Sequence, residues 1–118
     1  MQTVLNGVPI DQEEKIEEIL QIMADKYSRD LLKITQDCPK SAFKIAQETG
    51  IPISTVYRRI QKLQDAGIVR VSGEINLEGK KHFLYQSKVK EISSKINGEF
   101  INIEIVPNPP PTPQNWGV

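Results

Sequence analysis

Between Pro52 and Gly67 side chains able to donate hydrogen bonds crowd together, Ser54, Thr55, Tyr57, Arg58, Arg59, Gln61 and Lys62 among them. Hydroxyl, amide and guanidinium groups at this density suit the recognition of polar base edges and anions, since a guanidinium fork pairs bidentately with guanine or with phosphate. Catalytic chemistry has less to work with. His82 is the single histidine and Cys38 the single cysteine, so one strand imidazole and one thiol are all that is available. An internal disulfide and a multi-cysteine metal site are excluded, and no cofactor, metal or enzymatic activity is expected. Glu13, Glu14, Glu17 and Glu18 fall within about one helical turn and read as a solvated helix face rather than an acid–base pair.

The element that must carry the polar cluster is set by its apolar residues. Val56, Ile60 and Leu63 fall at i, i+4 and i+7, which predicts a helix over 53–66 with one core-facing side. Ser54, Arg58, Gln61, Lys62 and Asp65 then point away from that side, with Thr55, Tyr57 and Arg59 on its flanks. A helix of about 14 residues is about 21 Å long, enough to lie in a DNA major groove with its polar face against the bases.

Charge is distributed to match. The chain of 118 residues is neutral as a whole, which argues mildly against nucleic acid as a partner. Residues 1–50 carry a net −3 and residues 51–90 a net +5, so the basic excess coincides with the polar helix and the segment C-terminal to it. A local patch of that kind binds a polyanion even on a neutral molecule. No apolar run reaches the length of a membrane span and the start MQTVLNG lacks a signal peptide's apolar core, so a cytoplasmic chain without membrane contact is expected.

In order, residues 1–10 hold Asn6-Gly7 and Pro9 and read as a flexible arm, no more than a turn or a short edge segment. Asp11 with Glu14 resembles a capping box, opening a helical region whose apolar stripe runs through Ile16, Ile19, Leu20, Met23, Tyr27, Leu31, Leu32 and Ile34. Asp25 or Ser28 can cap a second helix, so two helices are expected, over 11–27 and 28–37, ended by Cys38-Pro39. Cys38 itself is expected to be semi-buried at that helix end. Ser41 caps a helix over 41–49, and Gly50 with Pro52 makes the turn into the polar helix. Beyond Gly67 the period changes to two: Val69, Val71, Gly73, Ile75 and Leu77 alternate with polar residues, as in a half-buried strand. Glu78-Gly79 turns it back through His82–Tyr85, giving a hairpin over 68–87 with Lys80 and Lys81 at its tip. Asn97-Gly98 centres another hairpin over 88–106, and the proline-rich 107–118 is expected to be disordered. One domain over 11–106 accommodates all of this.

This series of helices, turn, polar helix and two-stranded hairpin resembles the winged helix-turn-helix transcriptional regulators of prokaryotes, particularly the ArsR and MarR type and small archaeal-looking members. KIAQETGIPISTVYRRIQKLQDAGIVRV at 44–71 and GKKHFLY at 79–85 carry the likeness. It implies an α+β winged helix-turn-helix fold, here with an N-terminal helix, a β-wing and an additional C-terminal β-hairpin. It also implies a sequence-specific regulator of transcription acting on double-stranded DNA. Contact with bases would fall to Ser54, Thr55, Tyr57 and Arg58, and contact with phosphates to Arg59, Lys62, Lys80 and Lys81. Metal-sensing ArsR-type members carry paired cysteines, which this chain lacks. A homodimer is expected, because Ile16, Ile19, Leu20, Ile22 and Met23 give the first helix more apolar surface than one small core needs. A winged-helix module that binds protein without reading bases is the alternative, favoured by the neutral charge and the extra hairpin.

Overall fold

Asp25 divides the N-terminal helical stretch. Its carboxylate accepts the backbone N–H of Ser28 at 2.8 Å, ending α1 (Glu13–Ala24) and opening α2 (Lys26–Ile34), so of the two expected caps Asp25 is the one used and α2 starts two residues before the expected 28. The computed structural model describes residues 8–10, 12–75 and 77–110, and the expected Asp11 capping box falls outside them. α3 (Ala42–Thr49) is capped by Ser41, whose hydroxyl accepts from the Lys44 amide. Gly50, at φ 78°, takes the left-handed conformation that closes α3, and α4 (Ile53–Asp65) begins after Pro52.

Two hairpins complete the chain. β2 (Val69–Ile75) pairs antiparallel with β3 (Lys81–Ser87) to form the wing, and β4 (Val89–Asn97) pairs with β5 (Phe100–Pro107) around Asn97-Gly98. The second hairpin is widened by β1 (Val8–Ile10), which pairs along β5 with Val8 opposite Ile105 and Ile10 opposite Ile103. The sheet order is β1-β5-β4. Of the arm expected over 1–10, residues 8–10 form the short edge segment that the sequence allowed and are not a flexible arm. They occupy the free ladder edge of β5, and an edge strand tolerates the missing N–H of Pro9. At the other end Pro107 still belongs to β5 and Asn108 is buried, so the disorder expected from 107 onward does not hold for these two residues; residues 111–118 lie outside the described residues.

The core joins the four helices to both hairpins. Ile19 and Ile22 of α1, Leu31 of α2, Ile45 of α3 and Val56, Ile60 and Leu63 of α4 are buried together, closed by Val89 and Ile103 from the three-stranded sheet. Ile16, Leu20 and Met23 pack partly buried against the same cluster, so the apolar surplus of α1 is met within the chain. This removes the reason for which a homodimer was expected, though not the dimer itself.

The wing departs from the expected half-buried pattern. Val69 is buried, but Val71 is exposed and Ile75 retains 74% of its accessible surface. Only the root of the hairpin meets the core, and beyond it the two strands have no layer behind them. Strand β2 also stops at Ile75, leaving Leu77 wholly exposed in the turn. Cys38 is exposed rather than semi-buried, because it lies past the end of α2 in the loop before α3.

Candidate nucleic-acid interface

α4 is held at both ends and at its middle by other elements. At its C-terminal end Lys15 of α1 donates to the carbonyl of Ala66, one of the acceptors left open where a helix stops, and its charge also favours that negative dipole end. At its start the turn is pinned by Thr49, whose hydroxyl accepts from the Ile51 amide at 3.2 Å. In the middle, Asp25 receives Arg59 through Nε at 2.8 Å and a terminal guanidinium nitrogen at 3.3 Å, while the guanidinium lies 5.6 Å from the Tyr27 ring centre.

That carboxylate is the best-connected polar group near α4. Partial burial alone would push its pKa up. The hydrogen bonds from Arg59 and from the hydroxyl and amide of Ser28 outweigh burial and lower it to about 2. Asp25 therefore stays ionised, capping α2 through Oδ2 and orienting α4 through both oxygens.

Burial then sorts the expected contact residues. Val56, Ile60 and Leu63 point into the core, and Ser54, Tyr57, Arg58 and Lys62 are exposed on the opposite side of α4. Thr55 is half-buried, and its hydroxyl accepts a long 3.3 Å bond from Arg58, which leaves most of that guanidinium's donors turned outward. Gln61 and Asp65 bond to each other at 3.0 Å. Arg59 does not join the exposed row: expected at phosphates, it is committed to Asp25 and Tyr27 instead. The spacing of α4 places it on a flank, but an acid 34 residues earlier leaves no local pattern to read.

The wing is joined to the helices at its root. Lys40 and Tyr85 exchange backbone hydrogen bonds at 3.0 and 2.8 Å, adding a one-residue bridge from the α2–α3 connection. Arg70 on β2 donates to Gln86 on β3 and to the carbonyl of Asn108, while the Asn108 amide donates to the carbonyls of Gln36 and Ser87 at 2.8 and 2.9 Å. Thr35 completes the latch by accepting the Ser87 amide at 3.1 Å. Lys80 and Lys81 sit, exposed, at the far end of the hairpin, and the Lys81 ammonium lies 5.3 Å from the Phe83 ring centre. Phe43 on α3 and Phe83 on β3 are exposed around a cleft that Tyr57 shares, and both lie outside the contact set expected from the sequence.

No cluster of His, Cys, Asp or Glu among the described residues can hold a metal ion. No helix among them is long and apolar enough to cross a membrane. The arrangement offers a rigid helix with a hydrogen-bonding outer face beside a hairpin with lysines at its tip, a shape for a grooved polyanion.

Residues 23–72 match the helix-turn-helix domain family. The span runs from the end of α1 through α4 into β2, so it covers the elements that present the exposed row. Together with the β2–β3 wing, the helix-turn-helix gives a winged α+β fold, and DNA binding is the general function it supports. The β1-β5-β4 sheet lies beyond the matched residues. No curated protein matches the chain.

Proposed function

We propose that the chain is a sequence-specific DNA-binding regulator of transcription, of the ArsR and MarR kind its sequence resembles. α4 lies in the major groove, and the wing lies along the backbone or in the adjacent minor groove. The observation that carries this reading is the division of α4 into a buried side and an exposed side bearing Ser54, Tyr57, Arg58 and Lys62. Arg58 reads guanine, Ser54, Thr55 and Tyr57 complete the base contacts, and Lys62, Lys80 and Lys81 neutralise phosphates. Arg59 acts from behind, fixing the angle at which α4 enters the groove.

Dimerisation belongs to the same proposal, with its footing moved from α1 to the exposed Ile96 and Phe100 of the β4–β5 hairpin. Two copies would address half-sites about one helical turn apart. Selection of bound sites from random duplex DNA tests function and assembly together: a palindromic consensus is expected, and recovery of unenriched sequence would refute base readout.

The same three-stranded sheet favours a second reading, a winged-helix module that docks on protein. Titrating duplex binding against salt separates the two, because a docking module should bind DNA weakly and without sequence preference.

A further inference from the structure

Beside the reading face lies a cleft of about 370 Å³ between the start of α3, the flank of α4 and strand β3. Phe43, Tyr57, Phe83 and Tyr85 line it, with Lys81 at its rim. Phe43, Tyr57 and Phe83 keep 70%, 55% and 52% of their accessible surface, so three large rings from three different elements stand open to solvent around one concavity. A hydrophobic core needs none of them there, and a duplex backbone has little use for apolar rings. Flat aromatic faces next to a cation suit one ligand chemistry well: an unstacked base with its phosphate.

The surroundings agree with that ligand. Lys81 is drawn across the open side of Gly73, where a Cβ would come within 2.8 Å of its Cε, and so reaches the Phe83 ring. Lys81 is the lysine that lines the cleft among the described residues, with His82 beside it, whereas Lys40 and Lys44 pair with Glu48. Burial, followed by the neighbouring Tyr57, pushes the Tyr85 phenol above its ordinary value, so this half-buried ring lines the cleft in its neutral form. The cleft also adjoins the row of Ser54 and Arg58 through Tyr57, which faces both.

We propose that this cleft binds a base of single-stranded DNA by stacking against Phe43 and Phe83, with Lys81 on the adjoining phosphate. An opened strand in the cleft takes Lys81 and Tyr57 from the duplex, and this capacity does not depend on sequence-specific readout.

Fluorescence anisotropy with the full chain and two labelled probes tests it: a deoxythymidine oligomer and an abasic strand of equal length. The oligomer is expected to bind at least about tenfold more tightly, and Phe83→Ala and Phe43→Ala should each remove about tenfold while Phe83→Tyr retains affinity. Both phenylalanines are largely exposed, so the variants should keep the parental melting temperature and their affinity for duplex. Equal binding of the two probes, or oligomer binding unaltered in Phe43→Ala and Phe83→Ala, would overturn the proposal and leave the rings to a protein partner. Loss of sequence preference on duplex with oligomer binding intact would instead refute the readout by α4 and leave this site standing.

Discussion

Asp25 joins two helices through one side chain. It accepts from the Ser28 amide and hydroxyl and from two nitrogens of Arg59, so a single substitution uncaps α2 and unpairs α4. Asp25→Ala should destabilise the fold by about 1–2 kcal/mol, read as a lowered urea midpoint, because the cap and a partly exposed ion pair both disappear. The pH dependence has a defined sign. Because the folded carboxyl sits at about 2, below its ordinary value of 3.8, its contribution is complete above about pH 4 and disappears as pH falls through 2. Acid titration of the parent and Asp25→Ala should therefore converge below about pH 2; a constant gap between them would show that the carboxylate's charge is not what matters. Leu63, wholly buried in α4, belongs to a different kind of cost: Leu63→Ala should lose about 2–5 kcal/mol through transfer and cavity terms, without altering base preference per folded molecule.

Among the elements, α3 and α4 are legible in the sequence because their signals are local. Ser41, Gly50 and Gly67 punctuate them, and the i, i+4, i+7 spacing of Val56, Ile60 and Leu63 gives the buried side. The wing strands show in their alternation and in Gly79, yet alternation cannot say whether a second layer exists to bury the inner face. Val71 and Ile75 are exposed for that reason. Long-range partners leave no trace either: Arg59 with Asp25, β1 with β5, and the Asn108 latch all join residues far apart in sequence. That latch ties the three-stranded sheet to the wing root. Asn108→Ala would take one donor from the carbonyl of Ser87 and leave that of Gln36 with the Gln86 amide, at a cost of about 1–3 kcal/mol. Amide exchange at Ser87 and Lys88 should quicken in that variant, while exchange within α4 changes less; unaltered rates at both would mean the latch does not stiffen the wing.

For the whole molecule, a total charge of zero conceals an acidic N-terminal half and a basic stretch from the turn before α4 to the start of β4. The fold places the two differently, with Glu13 and Glu17 beside the β4–β5 hairpin and Lys62, Lys80 and Lys81 on α4 and the wing. Binding should accordingly depend on salt through a few phosphate contacts. Replacing Lys80 and Lys81 with alanine should weaken all duplexes alike and reduce the slope of log affinity against log salt by about one for each phosphate no longer neutralised. The decisive measurement is the affinity of Arg58→Ala for a site selected by the parent protein, set against a scrambled duplex at the same salt concentration. A loss of about 1–3 kcal/mol confined to the selected site is expected, with specificity relaxed at one base pair. Parental affinity for the selected site would contradict base readout by the exposed side of α4.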